Sequence, residues 1–167
     1  MSEFNTGSAR ESGSAAPEGS HATAARFDSL VCFSIADKMY ALDVALVREV
    51  VTVEKLLPVP RAPAPIIGAF ALRGATLALV DARILFGLDS GAKPGMALIL
   101  ARAHRTLCAL TIDRVIGVLP FHEANFTPAV RGREPPEVAG FLPDDRGGLL
   151  TILDTPTIVR SIERLKF

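Results

Sequence analysis

The sequence predicts a mainly β fold made of many short strands, arranged as a barrel or sandwich. Three observations carry this. From Phe27 onward, short runs rich in Val, Ile, Leu and Phe recur. Clusters of Gly, Pro or Asp interrupt them every eight to twelve residues or so, the rhythm of strands and turns. At 49% apolar residues, the 167-residue chain can bury a core of normal size.

Residues 1–26 are Ser, Gly, Ala and Glu with no periodic apolar face. They cannot offset the entropy of ordering, and a disordered tail is predicted. A first strand is expected over 27–35, a tight turn at Ala36-Asp37-Lys38, and a second strand over 39–42. Asp43 then starts a short helical turn through Val47, and residues 48–53 extend again. Pro58, Pro60, Pro63 and Pro65 remove backbone donors, so residues 57–65 are predicted to run as an exposed, extended connector outside any ladder.

Strands over 66–72 and 75–80 flank Arg73-Gly74, a hairpin tip where glycine supplies a positive φ. Asp81 is the expected N-cap of a short helix over 82–86, with Gly87 as its stop. A loop over 89–95 separates this first half from a second. There, strands over 97–101 and 107–112 form a hairpin around Ala103-His104-Arg105, and a third follows over 115–119. Residues 120–139 are polar and Pro-containing and read as a long connection. Strand character returns over 140–142 and 148–153. A helix then opens at Thr155-Pro156, with Thr155 as N-cap and Pro156 at the first helical position. Its apolar stripe is Ile158, Val159, Ile162 and Leu165, a packing face.

Charge and motif content argue against several function classes. Lys plus Arg and Asp plus Glu balance at 18 each, so no long-range field collects nucleic acid. The N-terminal stretch has no signal-peptide h-region, and no apolar stretch reaches the roughly 18 residues of a membrane span, so direct membrane insertion is not expected. Cys32 and Cys108 lie in apolar runs with no metal-ligand spacing, which predicts buried free thiols. His21, His104 and His122 fall in tail, turn and connector, and no metal site is predicted. Ser90-Gly91-Ala92-Lys93 matches SxxK only by chance in a Gly-rich connector, with no accompanying SDN or KTG. Asp144-Asp145 before Arg146-Gly147-Gly148 reads as a solvated turn. With no nucleophile and base pair, metal cluster or phosphate loop, no enzyme activity and no cofactor are expected.

Several segments in collinear order do carry a resemblance. They are Tyr40-Ala41-Leu42-Asp43, Val47-Arg48-Glu49-Val50, the run from Ile67 to Gly74, Val80-Asp81-Ala82-Arg83, the run from Ile112 to Val118, and Thr151-Ile152-Leu153-Asp154. Together they resemble the CheW family of chemotaxis coupling proteins. The run Gly68-Ala69-Phe70-Ala71-Leu72-Arg73-Gly74 is similar to that family's G-x-x-N-L-R-G, with Ala71 where the family has Asn. The resemblance implies two SH3-like five-stranded barrels packed together, with short helices and a C-terminal helix. It makes residues 27–167 one CheW-like domain of two subdomains, interleaved near 88–96. It further implies a non-catalytic adaptor coupling methyl-accepting chemoreceptors to a CheA-type histidine kinase, cytoplasmic and associated with receptor arrays at the inner membrane. A small ligand-binding β-barrel is the alternative. By position, the coupling residues fall on Val47, Glu49, Arg73 and Val118, while Gly68 and Gly74 hold the hairpin shape. Arg73 either meets a receptor or pairs internally with Glu49 or Asp81.

Overall fold

A computed structural model describes residues 27–89 and 95–165. The expected tail at 1–26, with His21, lies outside the described residues, as do the SxxK match and residues 90–94 of the expected divide. Eleven strands follow in chain order: β1 (Ser29–Ile35), β2 (Lys38–Asp43), β3 (Val47–Thr52), β4 (Ile66–Leu72), β5 (Ala75–Val80), β6 (Met96–Arg102), β7 (Arg105–Ile112), β8 (Arg114–Pro120), β9 (Thr127–Pro128), β10 (Val138–Pro143) and β11 (Leu149–Leu153). Two helices, α1 (Ala82–Leu85) and α2 (Thr155–Arg164), complete the regular structure together with short 3-10 turns at Val44–Leu46 and Glu123–Asn125.

The strands form two sheets, ordered β8-β1-β2-β11-β10-β9 and β3-β6-β7-β5-β4. The fold is therefore mainly β in two packed five- to six-stranded units. The sixth strand of the first sheet arises because Thr127-Pro128, inside the expected 120–139 connection, pairs with Gly140 and Phe141. The two sheets do not split the chain near 88–96: β5 and β6, on either side of that stretch, belong to one sheet. The chain changes sheets at Val44–Leu46 and again at Asp113, so the second sheet is inserted between two parts of the first. Pairings of β1 with β8 and of β2 with β11, across the inserted strands, produce this. They join segments far apart in sequence, which a turn-by-turn reading cannot see.

All three tight hairpins turn through two residues at positive φ: Ala36 and Asp37 (50° and 63°), Arg73 and Gly74 (49° and 82°), Ala103 and His104 (47° and 67°). Such turns match the twist of the flanking strands. Arg105, expected in the third turn, instead begins β7.

Strand alternation sorts the apolar residues into three layers. Val31, Phe33 and Ile35 of β1 and Leu98 and Leu100 of β6 face a central core, which α2 closes with Ile158, Val159 and Ile162. Leu30 and Cys32 face the interior of the first unit, with Ile152 and Leu142. Ala97 and Ile99 face the interior of the second, with Phe70, Leu79 and Val53. Both faces of the inner strands are thus buried, and the strands read as continuous apolar runs for that reason. Tyr40 stacks between Phe33 and Phe86, at centroid distances of 6.2 and 5.4 Å, and carries aromatic packing across the interface to the segment after α1.

The second sheet closes on itself through the Pro-rich segment. Leu57 exchanges both backbone hydrogen bonds with Ala69 of β4, at 2.7 and 2.8 Å. The segment is a connector as expected, but it does not run extended: turns at Pro60-Arg61 and Ala64-Pro65 bend it, and its first residue forms an isolated bridge. This pairing explains Gly68, which sits at a bulge in β4 and not at the hairpin tip. A Cβ there would lie 2.5 Å from Leu56 Cγ and 2.8 Å from the Leu57 carbonyl oxygen. Gly68 admits the closing segment, and of the two glycines only Gly74 lies in the turn. Gly68→Ala is expected to lower stability by about 1–2 kcal/mol, because Leu56 can rotate but the carbonyl must shift. Urea unfolding measures this, and an unchanged midpoint would refute the close-approach account.

Both helices are capped by aspartate. Asp81 accepts the Arg83 N–H at 2.8 Å, as expected, and α1 is one residue shorter than predicted, with Phe86 as its C-cap. For α2 the N-cap is Asp154, which accepts the Thr157 N–H at 2.9 Å. Thr155 is the first helical residue. A carboxylate caps at least as well as a hydroxyl, and it stood one position earlier.

Candidate interaction site

The expected coupling residues Val47 and Glu49 lie on β3, where a bulge changes the register between them. Val47 sits opposite Leu100 and packs, half-buried, on the central core. Glu49 sits opposite Ile99, on the face of the second unit's interior. In a regular strand Val47 and Glu49, two residues apart, would share one face; the bulge turns them to opposite faces. The bulge thus puts a carboxylate at the mouth of an apolar barrel, where it needs a partner.

Arg73, from the tip between β4 and β5, supplies that partner. Its Nη1 and Nη2 donate to Glu49 Oε1 and Oε2 at 2.6 and 2.8 Å, a bidentate pair. Because β3 and β4 are the two ends of this sheet, the pair bridges its edges. The Arg73 side chain remains 73% exposed, so the pair contributes at most about 1 kcal/mol to stability. Its larger effect is to restrain an exposed guanidinium that still has N–H donors beyond the pair. Of the two internal partners considered for Arg73, Glu49 is the one used; Asp81 is buried and caps α1. Arg48 donates to Thr106 Oγ1 at 3.0 Å. Beside these groups a groove of about 210 Å³ has Leu72, Leu77 and Ile99 in its lining.

Val118 is carried by a different sheet. It lies on β8, an outer strand of the other sheet, opposite Val31, and is 59% exposed. Ile116 and Leu119 on the same strand are also exposed, so β8 presents an apolar surface of its own. Ala71, which replaces the family Asn, is exposed opposite Thr76.

One polar junction escaped the sequence reading. Asp113, where the chain returns to the first sheet, accepts the Ala36 N–H at 2.7 Å and Arg83 Nη2 at 3.0 and 3.2 Å. It therefore ties the β1–β2 turn to the first turn of α1, one element from each unit. The signal was present in Val80-Asp81-Ala82-Arg83 and Ile112-Asp113-Arg114-Val115, whose Arg and second Asp meet here. Nothing in the spacing says that they should.

The thiols offer no chemistry. Cys32 and Cys108 are buried, and desolvation pushes them up to about 11 and about 12, so both stay protonated and unreactive near neutral pH. Burial also raises the Tyr40 phenol. Asp144 accepts N–H groups of Arg146 and Gly148 within its own turn, as a solvated turn residue does.

Comparison with known proteins agrees with this architecture. A family model described as "CheW-like domain" matches residues 29–163. The chain is 29% identical over 101 residues to the chemotaxis protein CheW of Rhizobium meliloti, covering 59% of this chain and 64% of the relative. It is 25% identical over 114 residues to the chemotaxis protein CheW of Treponema pallidum, covering 65% and 64%. The chain thus spans 64% of the length of both curated relatives. Among solved structures, the scaffolding protein TtCheW from Thermoanaerobacter tengcongensis superposes with a TM-score of 0.65 at 26% identity, covering 77% of this chain and 90% of that one.

Proposed function

We propose, because the chain belongs to the CheW-like family, that it works as a non-catalytic chemosensory adaptor between chemoreceptors and a CheA-type histidine kinase. The observation that carries this reading is the oriented Arg73 guanidinium at the rim of the second unit, held by Glu49 and otherwise exposed. The N–H groups that the Glu49 pair leaves unused, on a restrained and exposed guanidinium, suit hydrogen bonding to a carboxylate or carbonyl on a protein partner. In this reading a receptor's helical tip meets Arg73 and the apolar strand bearing Val118, while the barrel edges dock the kinase's related regulatory module. Val47 and the Glu49 bulge position the contact. The adaptor acts in the cytoplasm, at receptor arrays on the inner membrane. No helix among the described residues is long and apolar enough to cross a membrane.

An adaptor controls a kinase only by binding its signalling states with different free energies. The test is reconstitution of kinase autophosphorylation with receptor fragments, with and without this chain. Activity is expected to change at least roughly fivefold, the low end of ordinary coupling, and only when receptor is present. No change, together with no three-component complex, refutes the proposal. The ligand-binding alternative is not favoured, because Phe70, Leu79 and Ile99 fill the second unit's interior.

A further inference from the structure

The tip of the β6–β7 hairpin carries a concentration of unneutralised positive charge. Arg102 and Arg105 are paired directly across it, with His104 in the turn between them, and all three are exposed. Like charges opposite each other destabilise a hairpin. Arg48, also exposed, has only the neutral hydroxyl of Thr106 as partner. Among the described residues, the ion pairs are Arg73 with Glu49 and Arg83 with Asp113, and neither relieves this cluster. Glu163 lines a groove with Arg105 but forms no ion pair with it.

Grooves of mixed polar and apolar lining run alongside. A groove of about 370 Å³ includes Leu77, Arg105, Thr106 and Leu107 in its lining. The smaller groove beside Arg48 shares Leu77 and Thr106 with it. Sharing these two residues, the grooves adjoin and offer a concave floor of mixed lining, with Leu77 and Leu107 among its apolar groups and Arg48 and Arg105 among its charged ones. We propose that this surface docks an acidic amphipathic segment of a protein partner, whose apolar side chains enter the grooves while its carboxylates meet Arg102, Arg105 and Arg48. Guanidinium forks match carboxylates in pairs. The concave floor fits a protruding segment better than the flat face of a bilayer. The inference deepens the adaptor reading by giving the chemistry of one partner surface, and it rests on that reading only for the partner's identity.

The test uses the full chain and two probes: a synthetic helical peptide with Leu and Glu on adjoining stripes, and vesicles of phosphatidylglycerol. The peptide is expected to bind, more weakly as salt rises. Affinity should fall about tenfold in R102Q/R105Q, the loss expected of two exposed charge-assisted contacts. Both positions are exposed, so matching circular dichroism spectra are expected for variant and parent. Equal peptide affinity in parent and variant, no peptide binding at all, or binding to vesicles alone overturns the inference. None of these results bears on kinase reconstitution, so the two proposals fail separately.

Discussion

Gly140→Ala is expected to cost about 3 kcal/mol, a large share of the 5–15 kcal/mol or so that holds a typical domain folded. A Cβ at this position would lie 2.4 Å from the Thr127 carbonyl oxygen and 2.5 Å from two ring carbons of Phe126. Neither obstacle moves freely. The carbonyl belongs to β9, which pairs with β10 at this point, and Phe126 packs edge-on against Phe121 at 5.4 Å, which in turn meets Phe27 at 5.3 Å. Admitting a methyl group must therefore displace either the outermost strand or the aromatic chain closing the first unit. Gly68→Ala should cost less, since part of its clash is with the rotatable side chain of Leu56. Urea midpoints for the two variants test the ranking, and a Gly140→Ala midpoint equal to that of the parent would reject this account.

The largest functional effect is expected from Arg73→Glu. Reversing this charge places a carboxylate beside Glu49 and removes the outward donors, so receptor affinity should fall roughly 30-fold or more, or about 2 kcal/mol. Stability should change by no more than about 1 kcal/mol, because the pair is exposed on the arginine side. The double variant R73E/E49R separates direct from indirect action. It restores an ion pair in reverse order but leaves no guanidinium at the turn. If Arg73 touches the receptor, binding stays low; if the pair serves only to brace the sheet edges, binding returns. Unchanged receptor pull-down and kinase activity in Arg73→Glu would remove this residue from the site.

Much of the fold was legible because strands here are short apolar runs between turn residues. The hairpin of β4 and β5 falls at residues 66–72 and 75–80 in both sequence and structure. What remained hidden depends on contacts between distant segments. The insertion of one sheet within the other follows from the pairing of β1 with β8 and of β2 with β11. Gly68 owes its role to Leu56 and Leu57, which approach from the connector side. At the candidate site, Glu49 and Arg73 were identifiable as charged residues near a hairpin. Their facing was not, since it depends on the bulge at Arg48, and a bulge leaves no mark on composition. The exposure of Val118 was likewise unreadable, because an outer strand and an inner one can carry the same residues.

The insertion of the second sheet into the first also sets an order of events during synthesis. Residues Val47 to Ile112 hold every strand of the second sheet, so that unit has all its pairing partners as soon as β7 has been made. The first sheet has no such independence. β1 and β2 leave the ribosome first, yet their outer neighbours β8 and β11 emerge only after the whole inserted unit. At about 5–20 residues per second, this nascent hairpin spends several seconds with both flanks unpaired. Its strands carry Val31, Phe33, Cys32 and Leu42, all buried in the finished molecule. The stage most exposed to misassociation is therefore the interval before Arg114–Pro120 is translated, and the inserted barrel is what lengthens it.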